Sequence, residues 1–189
     1  MEAFLVSITT ISVAEIGDRT QLLSLLLAAR YRRPWPIIAG ILCATLANHA
    51  LAGILGVWFG SLLKPRTLEV IVGISMIAMA IWTLKPDKLD ENAGAAGAMG
   101  AFLATLTSFF IAEIGDKTQI ATLALAAAYP SLLAVVAGTT AGMMLANVPV
   151  VFLGKAFASR LPLKAIHIAA ALLFIVLGLI FLARAYWSS

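Results

Sequence analysis

The sequence predicts an all-α integral membrane protein with six transmembrane helices, arranged as two inverted three-helix repeats. Three observations predict this fold class: a very apolar composition, six separate apolar runs, and one charged motif that occurs twice. Hydrophobic residues make up 62% of the chain and charged residues 12%, whereas a soluble domain carries about 25% charged residues. Such a chain cannot cover a water-facing surface, so we expect the bilayer to be its solvent.

Each of the six apolar runs is long enough to cross the hydrocarbon core, which takes a helix of about 20 residues. The runs cover residues 3–29, 35–60, 67–84, 99–128, 131–154 and 165–187. The connections between them are short, and no segment remains for a soluble domain. The single cysteine, Cys43, lies inside an apolar run and has no partner for a disulfide.

A comparison of the chain with itself indicates an internal duplication. Residues 14–21, Ala-Glu-Ile-Gly-Asp-Arg-Thr-Gln, recur at 112–119 as Ala-Glu-Ile-Gly-Asp-Lys-Thr-Gln, an offset of 98 residues. We therefore predict a first three-helix repeat over 1–84, a cytoplasmic linker over 85–98 and a second repeat over 99–189. Because three spans is an odd number, the second repeat must enter the membrane from the opposite side, as in many secondary transporters.

Basic residues between the runs predict the orientation of the chain. Eight of them fall on one side of the membrane and three on the other, and cytoplasmic loops carry the excess. We expect both termini to be periplasmic, and the formal charge of +4 to reflect this bias rather than nucleic-acid binding. The eight are Arg30, Arg32, Arg33, Lys85, Lys88, Lys155, Arg160 and Lys164, and the three are Lys64, Arg66 and Arg184.

The duplicated motif places acidic residues at membrane depth, where each charge costs a few kcal/mol. Glu15 and Asp18 are three residues apart, as are Glu113 and Asp116. On a continuous helix this spacing puts both carboxylates of a pair on one face. Two such pairs on symmetry-related helices are expected to converge and to form a cation site.

The basic residues of the motif also allow a purely structural interpretation. Arg19 and Lys117 follow Glu15 and Glu113 by four residues, the spacing that favours an ion pair within a helix. Such pairs would ease insertion but leave the second acid of each motif unexplained. Two acids and one base give each motif a formal charge of −1, and the two motifs together −2. One divalent cation or two protons would balance that charge.

Other paired residues lie beside these charges. Gly17 and Gly115 separate the two acids of each motif and permit a helix break that would release backbone carbonyls as ligands; the alternative is close helix packing. Asn48 recurs as Asn147, slipped by one residue, and each amide is either a neutral oxygen ligand or an interhelical hydrogen-bonding group. The same two interpretations apply one turn later in each motif, at Thr20, Gln21, Thr118 and Gln119.

The candidate ligands are carboxylate and amide oxygens, without thiols or paired imidazoles. Oxygen-rich sites suit Mg²⁺, Ca²⁺ and Mn²⁺. Carboxyl groups at membrane depth favour their protonated form until a cation arrives, which is the physical basis of metal/proton exchange. His49 has no counterpart in the second repeat and is interpreted as a packed side chain. The sequence contains no Walker-type phosphate loop, so we do not expect ATP-driven pumping by this chain.

The doubled Glu-x-Gly-Asp-(Lys/Arg)-(Thr/Ser) motif resembles the signature of the Gdt-type family of Mn²⁺/Ca²⁺:H⁺ exchangers, which includes bacterial manganese exporters of the MneA type. The resemblance covers essentially the whole chain. It implies cation binding by Glu15, Asp18, Glu113 and Asp116, export of Mn²⁺ in exchange for protons, and Ca²⁺ as the alternative ion. The ion is cargo, so no cofactor is implied. The short linker and the lack of an N-terminal extension predict a bacterial inner-membrane member.

Two other classes of function fit parts of this pattern. Asp18 and Asp116 on two helices could form the dyad of an intramembrane aspartyl protease, but a basic residue follows each aspartate, and such dyads share a proton between two carboxylates. An amino-acid exporter would need a cationic pocket for the substrate carboxylate, which a symmetric four-acid site does not supply. The sequence leaves open the choice of ion, the proton stoichiometry and the oligomeric state.

Overall fold

The computed structural model describes residues 1–84, 100–153 and 162–187, and this part of the chain forms eight α-helices. The predicted linker at 85–98, with Lys85 and Lys88, lies outside the described residues, as do Lys155 and Arg160. The helices are α1 (Glu2–Glu15), α2 (Arg19–Tyr31), α3 (Pro34–Leu62), α4 (Pro65–Thr83), α5 (Ala101–Glu113), α6 (Lys117–Ala128), α7 (Leu132–Leu153) and α8 (Leu163–Trp187).

The first and fourth predicted spans are each interrupted at the glycine of the motif. Gly17 has a φ of 84° and Gly115 a φ of 71°, in the left-handed region that glycine adopts without a steric penalty. The expected helix break is therefore confirmed. The expectation that Glu15 and Asp18 share one face of a continuous helix is wrong, because Glu15 ends α1 and Asp18 precedes α2. The second motif is broken in the same way.

Four of the described helices, α3, α4, α7 and α8, are long and apolar enough to cross a membrane. Proline occupies the first position of α3 and of α4, where its missing N–H has no helical partner to lose. The remaining four helices have 12 to 14 residues each. Each of these is too short to cross alone, since a span takes about 20 residues.

Glycines bring helices of the two repeats into close contact, α7 against α1 and α3 against α5. A Cβ at Gly138 of α7 would lie 2.7 Å from the carbonyl oxygen of Phe4 in α1. Gly40 of α3, at the equivalent position of the first repeat, approaches α5 in the same way, with 2.9 Å to the carbonyl oxygen of Phe102. Only a residue without a side chain allows backbones this close. The two repeats are therefore interlocked.

The last helices of the two repeats, α4 and α8, also pair with each other at glycines. A Cβ on Gly73 would lie 2.9 Å from the carbonyl oxygen of Gly178, and a Cβ on Gly178 would lie 2.8 Å from that of Gly73. Near the ends of these helices, Arg184 lies 3.8 Å from Glu69. The two helices therefore run in opposite directions, because early residues of α4 meet late residues of α8.

The distribution of side chains is the reverse of that in a soluble protein. Large apolar residues such as Trp35, Ile81 and Leu133 are exposed, while the acids of both motifs are fully enclosed. A water-soluble fold rarely buries so many charges. The apolar exterior instead fits a lipid environment, and the buried charges lie between helices as expected of a functional intramembrane site.

Candidate functional site

Three of the four predicted acids meet where the two broken helices face each other. Glu15, Asp18 and Asp116 are all buried, and each has a carboxylate oxygen within 4.8 Å of the others. Two negative charges at this separation repel each other by at least about 3 kcal/mol at an effective dielectric constant of about 20. This three-acid cluster therefore requires positive charge or protons to be stable.

The helix breaks place these acids at helix ends. Asp116 caps the N-terminus of α6, where its side chain accepts hydrogen bonds from the Thr118 amide at 3.5 Å and hydroxyl at 3.1 Å. Asp18 has the equivalent position before α2. Glu15 ends α1, and the C-terminus of a helix carries a partial negative charge that favours a cation. The break in the first motif thus places two carboxylates, those of Glu15 and Asp18, beside a helix C-terminus that favours a cation.

Each aspartate is paired with the basic residue of the other repeat. Arg19 lies 2.8 Å from Asp116, and the Lys117 ammonium group contacts Asp18. The purely structural alternative, an ion pair between Glu15 and Arg19 and its counterpart in the second repeat, is therefore wrong. The turn at each glycine removes the i,i+4 geometry, and the interlocked repeats bring the opposite charge from across the interface.

Glu15 is held by neutral groups rather than by a base. Its Oε1 accepts hydrogen bonds from the Thr20 hydroxyl and from Nδ2 of Asn147, the latter at 3.1 Å. Ser24 donates to Oδ1 of Asn147 at 2.7 Å. The Oε2 atom of Glu15 is buried and has no hydrogen-bond partner among the described residues. One carboxylate oxygen of the cluster is thus available to a ligand.

The fourth acid, Glu113, lies outside the three-acid cluster. Its Oε1 accepts a hydrogen bond from Thr45 at 2.7 Å, and its buried Oε2 has no partner among the described residues. Asn48 donates to the carbonyl of Phe110 at 3.1 Å and accepts from Gln119 at 3.4 Å. The structure therefore brings the acids of the two motifs together only in part, and the two repeats differ at this position.

The glutamine of each motif stabilises the helix break by a hydrogen bond with the backbone of the glycine. Oε1 of Gln21 accepts a hydrogen bond from the Gly17 amide at 2.8 Å, and Oε1 of Gln119 accepts one from the Gly115 amide at 2.7 Å. Gln21 also donates to the carbonyl of Ala146 at 3.0 Å. These side chains satisfy backbone groups that the breaks expose, so their role is to hold the shape of the site.

Sequence reasoning missed two hydroxyl groups at the site. Ser24 orients Asn147, and its counterpart at the offset of 98 is Thr122, so the repeat comparison contained a signal for it. Thr45 reaches Glu113 but corresponds to Met143, and no sequence signal indicated it. His49 is buried, and neither ring nitrogen has a hydrogen-bond partner among the described residues, in agreement with a packed side chain.

Comparisons with known proteins agree over nearly the whole chain. Residues 3–91 and 101–189 both match the family model described as "Divalent cation/proton antiporter GDT1". A Vibrio cholerae protein named "Putative manganese exporter" is 53% identical over 95% of this chain and 90% of its own length. The Saccharomyces cerevisiae "Divalent cation/proton antiporter GDT1" is 26% identical over 98% of this chain and 85% of its own length. No solved structure matches the chain.

Proposed function

We propose, from the premise that this chain belongs to the GDT1 family of divalent cation/proton antiporters, that it exports Mn²⁺ from the cytoplasm in exchange for protons. It is a transporter rather than an enzyme, and the metal ion is its cargo rather than a cofactor. The name of the Vibrio cholerae relative supports manganese as the ion. Export driven by inward proton movement fits a bacterial inner membrane, which is the location we propose.

The observation that carries the proposal is the buried cluster of Glu15, Asp18 and Asp116, with oxygens within 4.8 Å of one another. Hard divalent cations prefer oxygen ligands of this kind. When the ion leaves, buried carboxylates are costly unless they are paired or protonated. Protons are therefore the natural exchange partner at the same groups.

Glu113 has a role in this proposal that follows from the two repeats. We assign Glu15 with Asn147 to the ion site in the conformation described here, and Glu113 with Asn48 to the same task in the opposite-facing conformation. In transporters with inverted repeats, the halves exchange their arrangements as access alternates. The difference in surroundings between Glu15 and Glu113 supports this assignment.

The proposed membrane arrangement has six crossings, with α1–α2 and α5–α6 each forming one broken span. The relative directions of α1 and α7 support this arrangement. Gly138, early in α7, approaches Phe4, early in α1, and Asn147, late in α7, contacts Glu15 at the end of α1, so the two helices run in parallel. A second span runs opposite to the first span of its own repeat. Parallel contact between α7 and α1 therefore favours inverted repeats.

Ion uptake by proteoliposomes tests the function directly. We expect an imposed proton gradient to drive Mn²⁺ movement, with Ca²⁺ transported less well and Mg²⁺ least. A Ca²⁺/H⁺ antiporter, the second candidate, would reverse the order of the first two ions. Mn²⁺ flux that does not respond to the proton gradient would contradict proton exchange, and absence of flux for all three ions would contradict the transport function itself.

A further inference from the structure

The two ion pairs that cross the repeat interface are equivalent in sequence but not in their surroundings. In the pair between Arg19 and Asp116, 34% of the arginine side chain is exposed. In the pair between Lys117 and Asp18, the side chains are 1% and 0% exposed. The arginine pair is partly open to the surroundings of the protein, whereas the lysine pair is fully enclosed. The lysine is therefore the positive charge that acts most strongly on the interior of the three-acid cluster.

Lys117 binds an oxygen of the same carboxylate that we assign to the ion. Its ammonium group contacts Oδ1 of Asp18, one of the three acids whose oxygens converge. An ammonium group and a divalent cation on one buried carboxylate would repel each other strongly, because the surrounding dielectric constant is low. The ion and Lys117 therefore compete for Asp18.

The formal charges favour the same conclusion. Glu15, Asp18 and Asp116 carry −3 when ionised, and Arg19 with Lys117 reduces this to −1. A divalent ion added to that set would leave an excess positive charge in a buried site. If Lys117 withdraws while Arg19 stays, the remaining charge of −2 is balanced by one divalent ion. Lysine suits this role, since its ammonium is a point charge on a flexible stem, unlike the rigid fork of arginine.

We infer that Lys117 is a built-in competitor of the transported ion: its ammonium group occupies Asp18 in the ion-free protein and is displaced from it when the ion binds. The inference rests on the proposed function and deepens it, because it names the group that the ion must replace. The observed affinity of the site for the ion is then set by the free energy of ion binding minus the free energy of the contact between Lys117 and Asp18. A weaker competitor should strengthen ion binding, and a stronger one should weaken it.

The test is a graded series at one position, measured as direct Mn²⁺ binding to the purified protein by loss of the free-ion electron paramagnetic resonance signal. Lys117→Gln removes the competing charge, and we expect it to bind Mn²⁺ at least about tenfold more tightly than the parent, a change of about 1.4 kcal/mol. Lys117→Arg keeps the charge but can hold Asp18 with two hydrogen bonds, and it should bind several-fold more weakly than the parent.

Arg19→Gln is the matched control, because it removes the equivalent charge from the partly exposed pair. It should change Mn²⁺ affinity by much less than Lys117→Gln. A general electrostatic effect would instead make Lys117→Arg equal to the parent and Arg19→Gln similar to Lys117→Gln, and either result would overturn the inference. Where Lys117→Gln does not fold, the comparison of Lys117→Arg with the parent decides the matter, since equal affinities contradict competition. A parent protein that binds no Mn²⁺ would contradict the proposed function instead.

Discussion

At the scale of single residues, Glu15 and Asp18 belong to one buried cluster but have different partners. Asp18 contacts the Lys117 ammonium group, whereas Glu15 accepts hydrogen bonds from neutral groups and has an unpartnered Oε2. Removing one member of a buried ion pair strands the other charge, while neutralising an acid that has no ion pair strands nothing. Conservative substitutions at these two positions should therefore differ in their effect on the stability of the ion-free protein.

Asp18→Asn should lower the stability of the ion-free protein by about 3 kcal/mol, because the buried Lys117 ammonium group loses the carboxylate that it contacts. Glu15→Gln should leave that stability unchanged or raise it by about 1 kcal/mol. Thermal unfolding in detergent without added metal measures both. Equal losses for the two variants would show that the ion pair across the repeats does not account for the difference.

Substitutions at Glu15 and Glu113 should affect Mn²⁺ transport and Mn²⁺ binding differently. Glu15→Gln should lose both Mn²⁺ transport and the stabilisation by Mn²⁺, because it removes a ligand from the cluster described here. Glu113→Gln should lose transport but keep most of the stabilisation, since Glu113 lies outside that cluster. Proteoliposome flux and metal-dependent thermal shifts test this pair of variants. Full transport by Glu113→Gln would exclude the exchange of roles between the repeats.

At the scale of helices, the glycine of each motif decides where the span breaks. Gly115 has a φ of 71°, and a Cβ at this position would have no heavy atom within 4 Å. A substitution there consequently tests backbone conformation without adding a clash. Gly138 is the opposite case, because its Cβ would meet the backbone of α1.

Gly115→Ala should destabilise the protein by about 1–2 kcal/mol, the cost of left-handed backbone for a residue with a Cβ, and it should weaken Mn²⁺ binding because Asp116 follows directly. Gly115→Asn should recover part of both losses, since asparagine tolerates this conformation better than alanine. Thermal unfolding and Mn²⁺ binding measure the two variants. Identical behaviour of alanine and asparagine would mean that backbone conformation at Gly115 is not what matters.

At the scale of the whole molecule, orientation depends on charge outside the membrane. The predicted outer side carries Lys64, Arg66 and Arg184 against eight basic residues on the inner side. We therefore predict an outer position for both termini, because orientation follows the number of Lys and Arg residues near the membrane rather than the net charge.

Two reporters fused after Ser189 test this orientation. An enzyme that works only in the periplasm should be active there, and a protein that fluoresces only in the cytoplasm should stay dark. The same reporters inserted in the 85–98 linker should give the opposite pattern, which provides an internal control. Fluorescence from the C-terminal cytoplasmic reporter would reverse the proposed orientation.

The sequence by itself determined the membrane class, the duplication, the paired acids of the two motifs and the possibility of a helix break, because composition and repetition are properties of the chain alone. Spacing along the chain could not determine the partners of those acids. The i,i+4 spacing allowed Arg19 and Lys117 to pair within their own motifs as one alternative, yet each lies against an aspartate of the other repeat.

Only the tertiary structure decided the pairing of charges, the position of Ser24 and Thr45, and the separation of Glu113 from the three-acid cluster. The physical reason is that a buried charge pairs with the nearest opposite charge in space. Once Gly17 and Gly115 turn the backbone, neighbours along a helix no longer meet, and the interlocking of α1 with α7 and of α3 with α5 brings the groups of the two repeats together.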